Sequence, residues 1–289
     1  MNIPRLNGVI KQLEQGKNVF VNFAPADVSN AIAAATEGYD GMVFEMEHNP
    51  YDAGVLRDCL QYLLNRRQIV ESGTIAPAVT PLVRIPVNGG EMSQWIAKQV
   101  LDVGVFGILW PHVTTVDEAR NAVAACRYQR PAGSPRYEPA GQRGDGPTTA
   151  ARYWGLTAQE YYDRADVWPL DPKGEIIVGI MCEDVVGLKN LPKILKEVPG
   201  IGFVVIGEGD LSQNLGYPRQ YEHPVVAEAM RNILRICQEH NVVCGHPHVD
   251  ARNVGRLVEE GYRFLMAAPT RSYGGLDAAL RATGRAPAS

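Results

Sequence analysis

The sequence predicts an α/β fold of the (β/α)8, or TIM, barrel class. Eight apolar segments alternate in strict order with eight amphipathic segments along the 289 residues, which is the number of units such a barrel needs. The apolar segments are almost uninterrupted, as is typical of parallel strands buried on both faces. A doubly wound open sheet is less favoured, because no GxGxxG loop follows the first strand. We therefore expect one barrel domain spanning residues 1–289.

The eight predicted strands are rich in branched apolar residues and are bounded by turn-forming or polar residues. In chain order they cover residues 19–23, 41–47, 81–87, 106–113, 175–183, 202–210, 242–249 and 262–270.

The eight predicted helices place apolar side chains three and four residues apart. Asp27 or Ser29 would cap the first helix, Gly104 would end the third, and Thr115 with Glu118 has the spacing of a capping box. In chain order the helices cover residues 27–39, 52–67, 91–104, 115–128, 185–200, 223–241, 251–261 and 272–283.

The alternation is interrupted once, between the fourth and fifth strands. Residues 129–173 are rich in Pro, Gly, Arg and Tyr, and they hold one short predicted helix near residues 158–165. Connections of this length usually have a function, so we expect a lid-like insertion.

Composition excludes several classes of partner. The formal net charge is −4 and no run of Lys and Arg stands out, which argues against nucleic acid or an anionic membrane. No apolar stretch approaches the roughly 18 residues of a membrane span. The five cysteines are scattered without a CxxC pair, so they read as reduced thiols of a cytoplasmic protein.

Polar residues gather at the C-terminal ends of the predicted strands, where barrels of this class hold their active sites. Burying such groups is costly unless they are paired or bind a ligand. In strand order the set is Glu45, Glu47 and His48; Arg84; Trp110 and His112; Glu183 and Asp184; Glu208 and Asp210; His246 and His248; Thr270 and Arg271.

Glu183 and Asp210 end consecutive strands, so they should be neighbours at the mouth of the barrel. Two close carboxylates repel each other, and a divalent cation removes that conflict. Carboxylates with waters and substrate oxygens suit Mg²⁺ or Mn²⁺. The alternative is that each acid caps the helix after its strand, which is the role we expect for Asp184.

Arg84 lies inside the apolar segment PLVRIP and therefore needs a partner. It would either form an internal salt bridge to Glu45 or Glu47, or present a fixed cation to a carboxylate or a developing oxyanion. His48, beside these carboxylates, would serve as a general base or only hydrogen-bond within its loop.

The remaining polar residues at the mouth of the barrel are predicted to bind the substrate. His112, His246 and His248 could each bind a metal, but none has the spacing of metal ligands on a helix, so we expect them to line the substrate pocket instead. Gly209 lets the backbone approach a ligand, and the Gly209 and Asp210 amides precede a helix, where N–H groups bind carboxylates.

Together these segments resemble the HpcH/HpaI aldolase family, the metal-dependent class II pyruvate aldolases. The resemblance runs from about residue 19 to residue 275. It depends on six segments in the family's order: EMEHNPYD, PLVRIP, GILWPHVTTVDEARNAVAACRY, QRG, CEDVVGLKNL and VVIGEGDLSQNLG.

The resemblance implies an aldolase that joins or cleaves a 2-oxo acid such as pyruvate and an aldehyde through an enolate. It implies a divalent metal (Mg²⁺, Mn²⁺ or Co²⁺) on Glu183 and Asp210, with Arg84 on the 2-oxo oxygen and His48 in proton transfer. It also implies a homohexamer, or trimer of dimers, with the last helix exchanged. Macrophomate synthase, which decarboxylates oxaloacetate, shares this fold and these ligands.

The chain departs from the family's pattern in ways that affect the acceptor. Glu45 replaces an aspartate, so its pairing with His48 would be re-spaced, and Glu208 replaces a proline. The last strand lacks the usual Gly and Asp, and the connection at 129–173 is longer. We expect an enlarged acceptor pocket for an aromatic or acidic aldehyde, built by His112, Arg143, Tyr153, Trp154 and Arg271. Trp110 and His246 are expected among the other substrate-binding residues.

Three alternatives to an aldolase remain at this point. The same enolate would serve an oxaloacetate decarboxylase or a decarboxylating carbon–carbon ligase. A citrate-lyase-type CoA ester lyase is less favoured, because no basic cluster suits a CoA phosphate. A non-catalytic binding barrel is least favoured, because Arg84, His48, Glu183 and Asp210 are all present.

Overall fold

The fold is a closed parallel barrel, seen in a computed structural model that describes residues 3–267 and 274–285. Its strands are β1 (Val19–Pro25), β2 (Gly41–Glu45), β3 (Thr80–Arg84), β4 (Gly107–Trp110), β5 (Val167–Trp168), β6 (Ile176–Cys182), β7 (Ile201–Ile206), β8 (Val243–Val249) and β9 (Phe264–Ala267). They are hydrogen-bonded in the order β4-β3-β2-β1-β9-β8-β7-β6, and a β4–β6 pairing closes the barrel. The two-residue strand β5 is an appendage that pairs with the start of β6. The predicted fold class is confirmed.

Helices follow the barrel strands, as the alternation predicts. They are α1 (Gly8–Glu14), α2 (Val28–Ala34), α3 (Ala53–Leu63), α4 (Arg66–Ser72), α5 (Gln94–Val103), α6 (Val116–Ala125), α7 (Thr148–Trp154), α8 (Ala158–Tyr162), α9 (Val185–Glu197), α10 (Glu208–Asn214), α11 (Pro224–Glu239), α12 (Val254–Glu260) and α13 (Gly274–Ala282). The predicted helix 52–67 is interrupted, because Leu64 is extended and the Asn65 side chain caps a new helix, α4.

Several predicted helix ends are confirmed. The Asp27 side chain accepts from the amides of Ser29 and Asn30 at the start of α2. Thr115 forms the capping box of α6 with Glu118. Asp184 caps α9 and Gly104 ends α5, so Asp184 is a helix-start residue as expected.

The barrel interior is identified by contacts between strands that are not neighbours. Phe203 of β7 stacks on Phe264 of β9 with ring centroids 4.2 Å apart, across β8. Gly179 of β6 leaves room for the Phe203 ring, which a Cβ there would meet at 2.2 Å. Because side chains alternate along a strand, residues two apart from these positions also point inward.

The connection at residues 129–173 packs on the outside of the barrel. It contains two helices, α7 and α8, where one was predicted. Trp154 of α7 stacks on Phe106 at the start of β4, with ring centroids 4.2 Å apart, and its indole donates to Gly104. Among the described residues, no hydrogen bond or ion pair of this connection reaches the polar residues at the mouth. Tyr153 and Trp154 are therefore core residues, and lining of the acceptor pocket by them is a wrong prediction.

The five cysteines are buried and unpaired, as the sequence predicts. Within the described residues, no helix combines the length and the apolar character needed to cross a bilayer.

Candidate active site

Arg84 lies at the C-terminal end of β3 and points into the barrel. Its neighbour in register on β2 is Glu45, so the two side chains share the inward face. Two contacts cross the interior: Nη1 lies 3.7 Å from the Met181 sulfur, and the guanidinium lies 4.8 Å from the centre of the Phe23 ring. The position fits the predicted role of a cation fixed at the mouth.

Two carboxylates hold the Arg84 guanidinium. Nη2 forms a very short ion pair with Glu45, and Nη1 lies 2.8 Å from Oε2 of Glu47. Of the two alternatives that the sequence left open, the internal salt bridge is therefore present. Arg84 Nε is buried and has no hydrogen-bond partner among the described residues.

The pairing of His48 with a carboxylate is re-spaced. Glu45 Oε1 accepts the backbone amides of Glu47 at 2.6 Å and His48 at 3.1 Å, so it fixes the loop after β2. The His48 imidazole instead lies 3.6 Å from Glu47 Oε2, and its side chain is 67% exposed. Glu47, not Glu45, is therefore the acid beside the imidazole.

Glu47 contacts more of the site than Glu45, the acid that the sequence predicted to pair with His48. It contacts Arg84 and His48, and its Oε1 lies 3.6 Å from His112 Nε2. Burial raises the pKa of the Glu47 carboxyl above its ordinary value, against the lowering effect of Arg84. Its position two residues after Glu45 was the available signal, because that spacing repeats one face of a strand.

Glu183 and Asp210 come together with His112 at the mouth. One ligand atom from each of the three side chains lies within 4.8 Å of the other two. The His112 amide donates to Glu183 Oε1 at 2.7 Å, and His112 Nδ1 lies 3.9 Å from the same oxygen. Glu183 and Asp210, which follow the neighbouring strands β6 and β7, are therefore adjacent as predicted. His112, which follows β4, lies beside them.

Glu183 is held in an unfavourable setting for a lone carboxylate. Its side chain is buried, and burial raises its pKa to about 7, with Glu47 and Asp210 adding to the rise. Gly207 is required beside it, because a Cβ at that position would meet Glu183 Oε2 at 2.1 Å. A group that is charged only at a cost is a candidate for cation binding.

Gly209 and Asp210 lie in the first turn of α10, directly after β7. The Asp210 side chain is exposed toward the mouth, and the helix begins at Glu208 without a side-chain cap. A Cβ at Gly209 would have nothing within 4 Å, so the backbone there is open to a ligand. The first amides of a helix lack intrahelical partners, which leaves them free to bind an anion.

Trp110 does not line the pocket, which corrects the prediction from sequence. Leu109 pairs in register with Arg84 and shares its inward face, so Trp110 points outward. Its side chain is fully buried beside Cys126 at the end of α6. The sequence placed it correctly at a strand end, but the direction of its side chain depends on the register.

His246 also points away from the mouth, for the same reason. Its neighbour Gly245 pairs with Val205 on the inward face, so His246 faces a cavity of about 500 Å³ outside the barrel. Burial lowers the pKa of His246 to about 4. Glu208 lines the same cavity, with His246 Nε2 3.6 Å away and a very short hydrogen bond to His248. The unusual Glu208 is thus the partner of two histidines.

Arg143 lies within the connection rather than at the mouth. Its Nη2 donates at 2.8 Å to Asp102 in the last turn of α5 and to the Tyr161 hydroxyl. The guanidinium stacks 4.4 Å from the centre of the Tyr128 ring. These contacts place Arg143 beside α5 rather than beside Glu183 and Asp210, while its Nη1 atom is buried without a hydrogen-bond partner among the described residues. Substrate binding by Arg143 stays a prediction. Arg271 lies outside the described residues.

Comparison with known proteins identifies relatives of this chain. The sequence profile described as HpcH/HpaI aldolase/citrate lyase matches residues 19–270. The 2-keto-3-deoxy-L-rhamnonate aldolase of Salmonella paratyphi B is 33% identical over 234 residues, which cover 80% of this chain and 75% of that protein.

Solved structures share the fold. An HpcH/HpaI aldolase/citrate lyase family protein from Burkholderia cenocepacia has a TM-score of 0.74 at 23% identity, over 91% of this chain and 93% of that one. Macrophomate synthase has a TM-score of 0.68 at 22% identity, over 94% of this chain and 86% of that one. At these identities the likeness supports the barrel fold alone.

Proposed function

The chain belongs to the HpcH/HpaI aldolase/citrate lyase family, and from this premise we propose that it is a divalent-metal-dependent aldolase. It would act as a carbon–carbon lyase on a 2-oxo acid such as pyruvate and an aldehyde. The observation that carries the proposal is the convergence of Glu183, Asp210 and His112 beside the Glu47–Arg84 ion pair at one end of the barrel.

The donor set fits a divalent cation. Two carboxylates lie within 4.8 Å of each other, and burial, together with the nearby Glu47 and Asp210, raises the pKa of Glu183 to about 7 despite the lowering effect of His112. Glu183 and Asp210 would hold the cation. When bound, it would polarise the carbonyl of the 2-oxo acid as a Lewis acid.

The residues around the proposed metal site would bind the substrate and move its proton. Arg84 is positioned by Glu45 and Glu47 and would offset the negative charge that develops on the 2-oxo oxygen. The amides of Gly209 and Asp210 would receive the substrate carboxylate. His48 would carry the proton to and from the carbon that is deprotonated, because its exposed imidazole lies beside Glu47.

The assembly and location of the protein are further parts of the proposal. Side chains of Tyr62, Val70 and Trp95 are more than half exposed on α3, α4 and α5, which supports a homo-oligomer such as a hexamer. The five unpaired cysteines support a reducing, cytoplasmic location. We also propose that the whole chain is one barrel domain, with residues 129–173 as an insertion within it.

A substrate screen with metal present tests the proposal. The protein is incubated with Mg²⁺, Mn²⁺ or Co²⁺, with pyruvate or oxaloacetate, and with a panel of short and aromatic aldehydes, and products are identified by mass spectrometry. Aldol products that disappear in Glu183→Ala support the aldolase. Pyruvate release from oxaloacetate without any aldol product would instead identify a decarboxylase, and no turnover with any metal would contradict both.

A further inference from the structure

We propose that His112 is a third protein ligand of the metal and that the site therefore selects a transition cation such as Co²⁺ over Mg²⁺. The inference rests on the proposed metal site and deepens it. Its first support is position: His112 Nδ1 lies 3.9 Å from Glu183 Oε1, and one ring nitrogen of His112 lies within 4.8 Å of a carboxylate oxygen of Glu183 and of Asp210. Two ligands of one cation at about 2.1 Å lie roughly 3.0 to 3.4 Å apart, so a small side-chain rotation suffices.

The second support is the partner of the other ring nitrogen. His112 Nε2 lies 3.6 Å from Glu47 Oε1, whereas Nδ1 is the ring nitrogen that approaches Glu183. Histidines that bind metals almost always give their second N–H to a carboxylate, which fixes the ring and leaves the first nitrogen free to coordinate. Since Glu47 approaches Nε2 and Glu183 approaches Nδ1, Glu47 would be the positioning residue.

The third support is the backbone of His112. Its φ is 50°, a left-handed conformation that is uncommon for residues with a Cβ, although Asn, Asp and His adopt it more often than the others. This conformation lets its amide donate to Glu183 Oε1 at 2.7 Å. Gly89 packs so closely behind it that a Cβ there would meet the His112 carbonyl oxygen at 2.8 Å. Such conformations persist where the surroundings impose them, and they are concentrated at functional sites.

A nitrogen ligand changes which cation the site prefers. Mg²⁺ favours oxygen ligands and keeps several of its waters, whereas imidazole suits later first-row transition cations. Glu183 and Asp210 alone would offer only oxygen. With His112 the set becomes two carboxylates and one imidazole, and Co²⁺ should gain far more from the added ligand than Mg²⁺.

The test compares the Co²⁺ and Mg²⁺ affinities of variants whose new residue tolerates the positive φ at position 112. His112→Gly removes the imidazole and accepts a positive φ, and His112→Asn keeps a polar side chain that also tolerates it. His48→Asn is the matched control, since it removes the other histidine that contacts Glu47. Metal-free proteins are titrated with CoCl₂ and with MgCl₂ by calorimetry. Manganese-loaded samples are examined by pulsed EPR for nitrogen bound to the metal.

We expect His112→Gly to weaken Co²⁺ binding by about 100-fold and Mg²⁺ binding by less than about threefold, with His48→Asn unchanged for both. The nitrogen signal should be present in the wild type and in His48→Asn, and absent in His112→Gly and His112→Asn. Equal Co²⁺ affinity in wild type and His112→Gly, or no nitrogen signal in the wild type, would overturn the inference while leaving the two-carboxylate site intact. Failure of the wild type to bind either cation would overturn the proposed function itself.

Discussion

Arg84 Nη1 lies 2.8 Å from Glu47 Oε2, so the cation expected to face the substrate is already held by a carboxylate. The same Glu47 also approaches His48 and His112, each at 3.6 Å. This acid therefore connects Arg84 and the exposed His48 to His112, one of the proposed metal-binding residues.

Arg84 should matter for both chemistry and stability. Arg84→Lys keeps a positive charge but loses the planar contact with two carboxylates, so we expect kcat to fall about 100-fold or more with KM changed little. Arg84→Met leaves Glu45 and Glu47 buried without a cation, which should cost about 3–5 kcal/mol of unfolding free energy. Steady-state kinetics and urea unfolding measure the two effects. Unchanged stability of Arg84→Met would show that the ion pairs are dispensable.

Metal affinity should depend on pH through Glu183. Its pKa is raised to about 7, so below that pH the metal must displace a proton from this carboxyl. We expect the apparent dissociation constant to rise about tenfold for each pH unit below 7 and to level off above it. Calorimetry from pH 5.5 to pH 8.5 measures the slope. A constant affinity over that range would contradict a protonated Glu183.

Gly207 should be essential for the metal site, although it contributes no side chain. In Gly207→Ala the new Cβ would meet Glu183 Oε2 at 2.1 Å, so the carboxylate must move. We expect metal affinity to fall at least tenfold in a folded protein. Gly209→Ala is the matched control for metal binding, because a Cβ there meets nothing within 4 Å. Equal affinities in the two variants would show that Glu183 is not held where we describe it.

His246 should make the fold sensitive to acid. Its pKa is lowered to about 4 in the folded state from 6.5, so the unfolded chain binds a proton first as the pH falls. Stability should be full above pH 6.5 and should decline by about 3 kcal/mol on reaching pH 4. His246→Gln should flatten this part of the profile, whereas His240→Gln, at the end of α11, should leave it unchanged. Urea unfolding at several pH values provides the comparison.

The residues that the sequence located correctly are those determined by strand order. Glu183 and Asp210 end consecutive strands, and Arg84 shares a register position with Glu45, so the closure of the barrel alone brings them to one mouth. The periodicity of the apolar residues was sufficient for this. The capping role of Asp184 could also be predicted, because a helix cap depends on the local sequence.

The residues that the sequence misplaced depend on information that periodicity does not carry. Trp110 ends β4 and His246 lies within β8, but each points outward because the register puts the preceding residue inside. Arg143 and Trp154 belong to a connection without a repeating pattern, and only packing against α5 and Phe106 determines their position. Glu45 and Glu47 are two residues apart and carry the same carboxylate, so the sequence alone could not show which of them lies beside His48.

Exchange of the C3 protons of pyruvate in deuterium oxide, followed by NMR, tests the central claim most directly. It needs no knowledge of the aldehyde, since it reports only the removal of a proton from the 2-oxo acid. We predict exchange when Mg²⁺, Mn²⁺ or Co²⁺ is present, loss of exchange with a chelator, and loss in Glu183→Gln. Exchange that persists in the chelated protein or in Glu183→Gln, or no exchange with any of the three cations, would contradict the account.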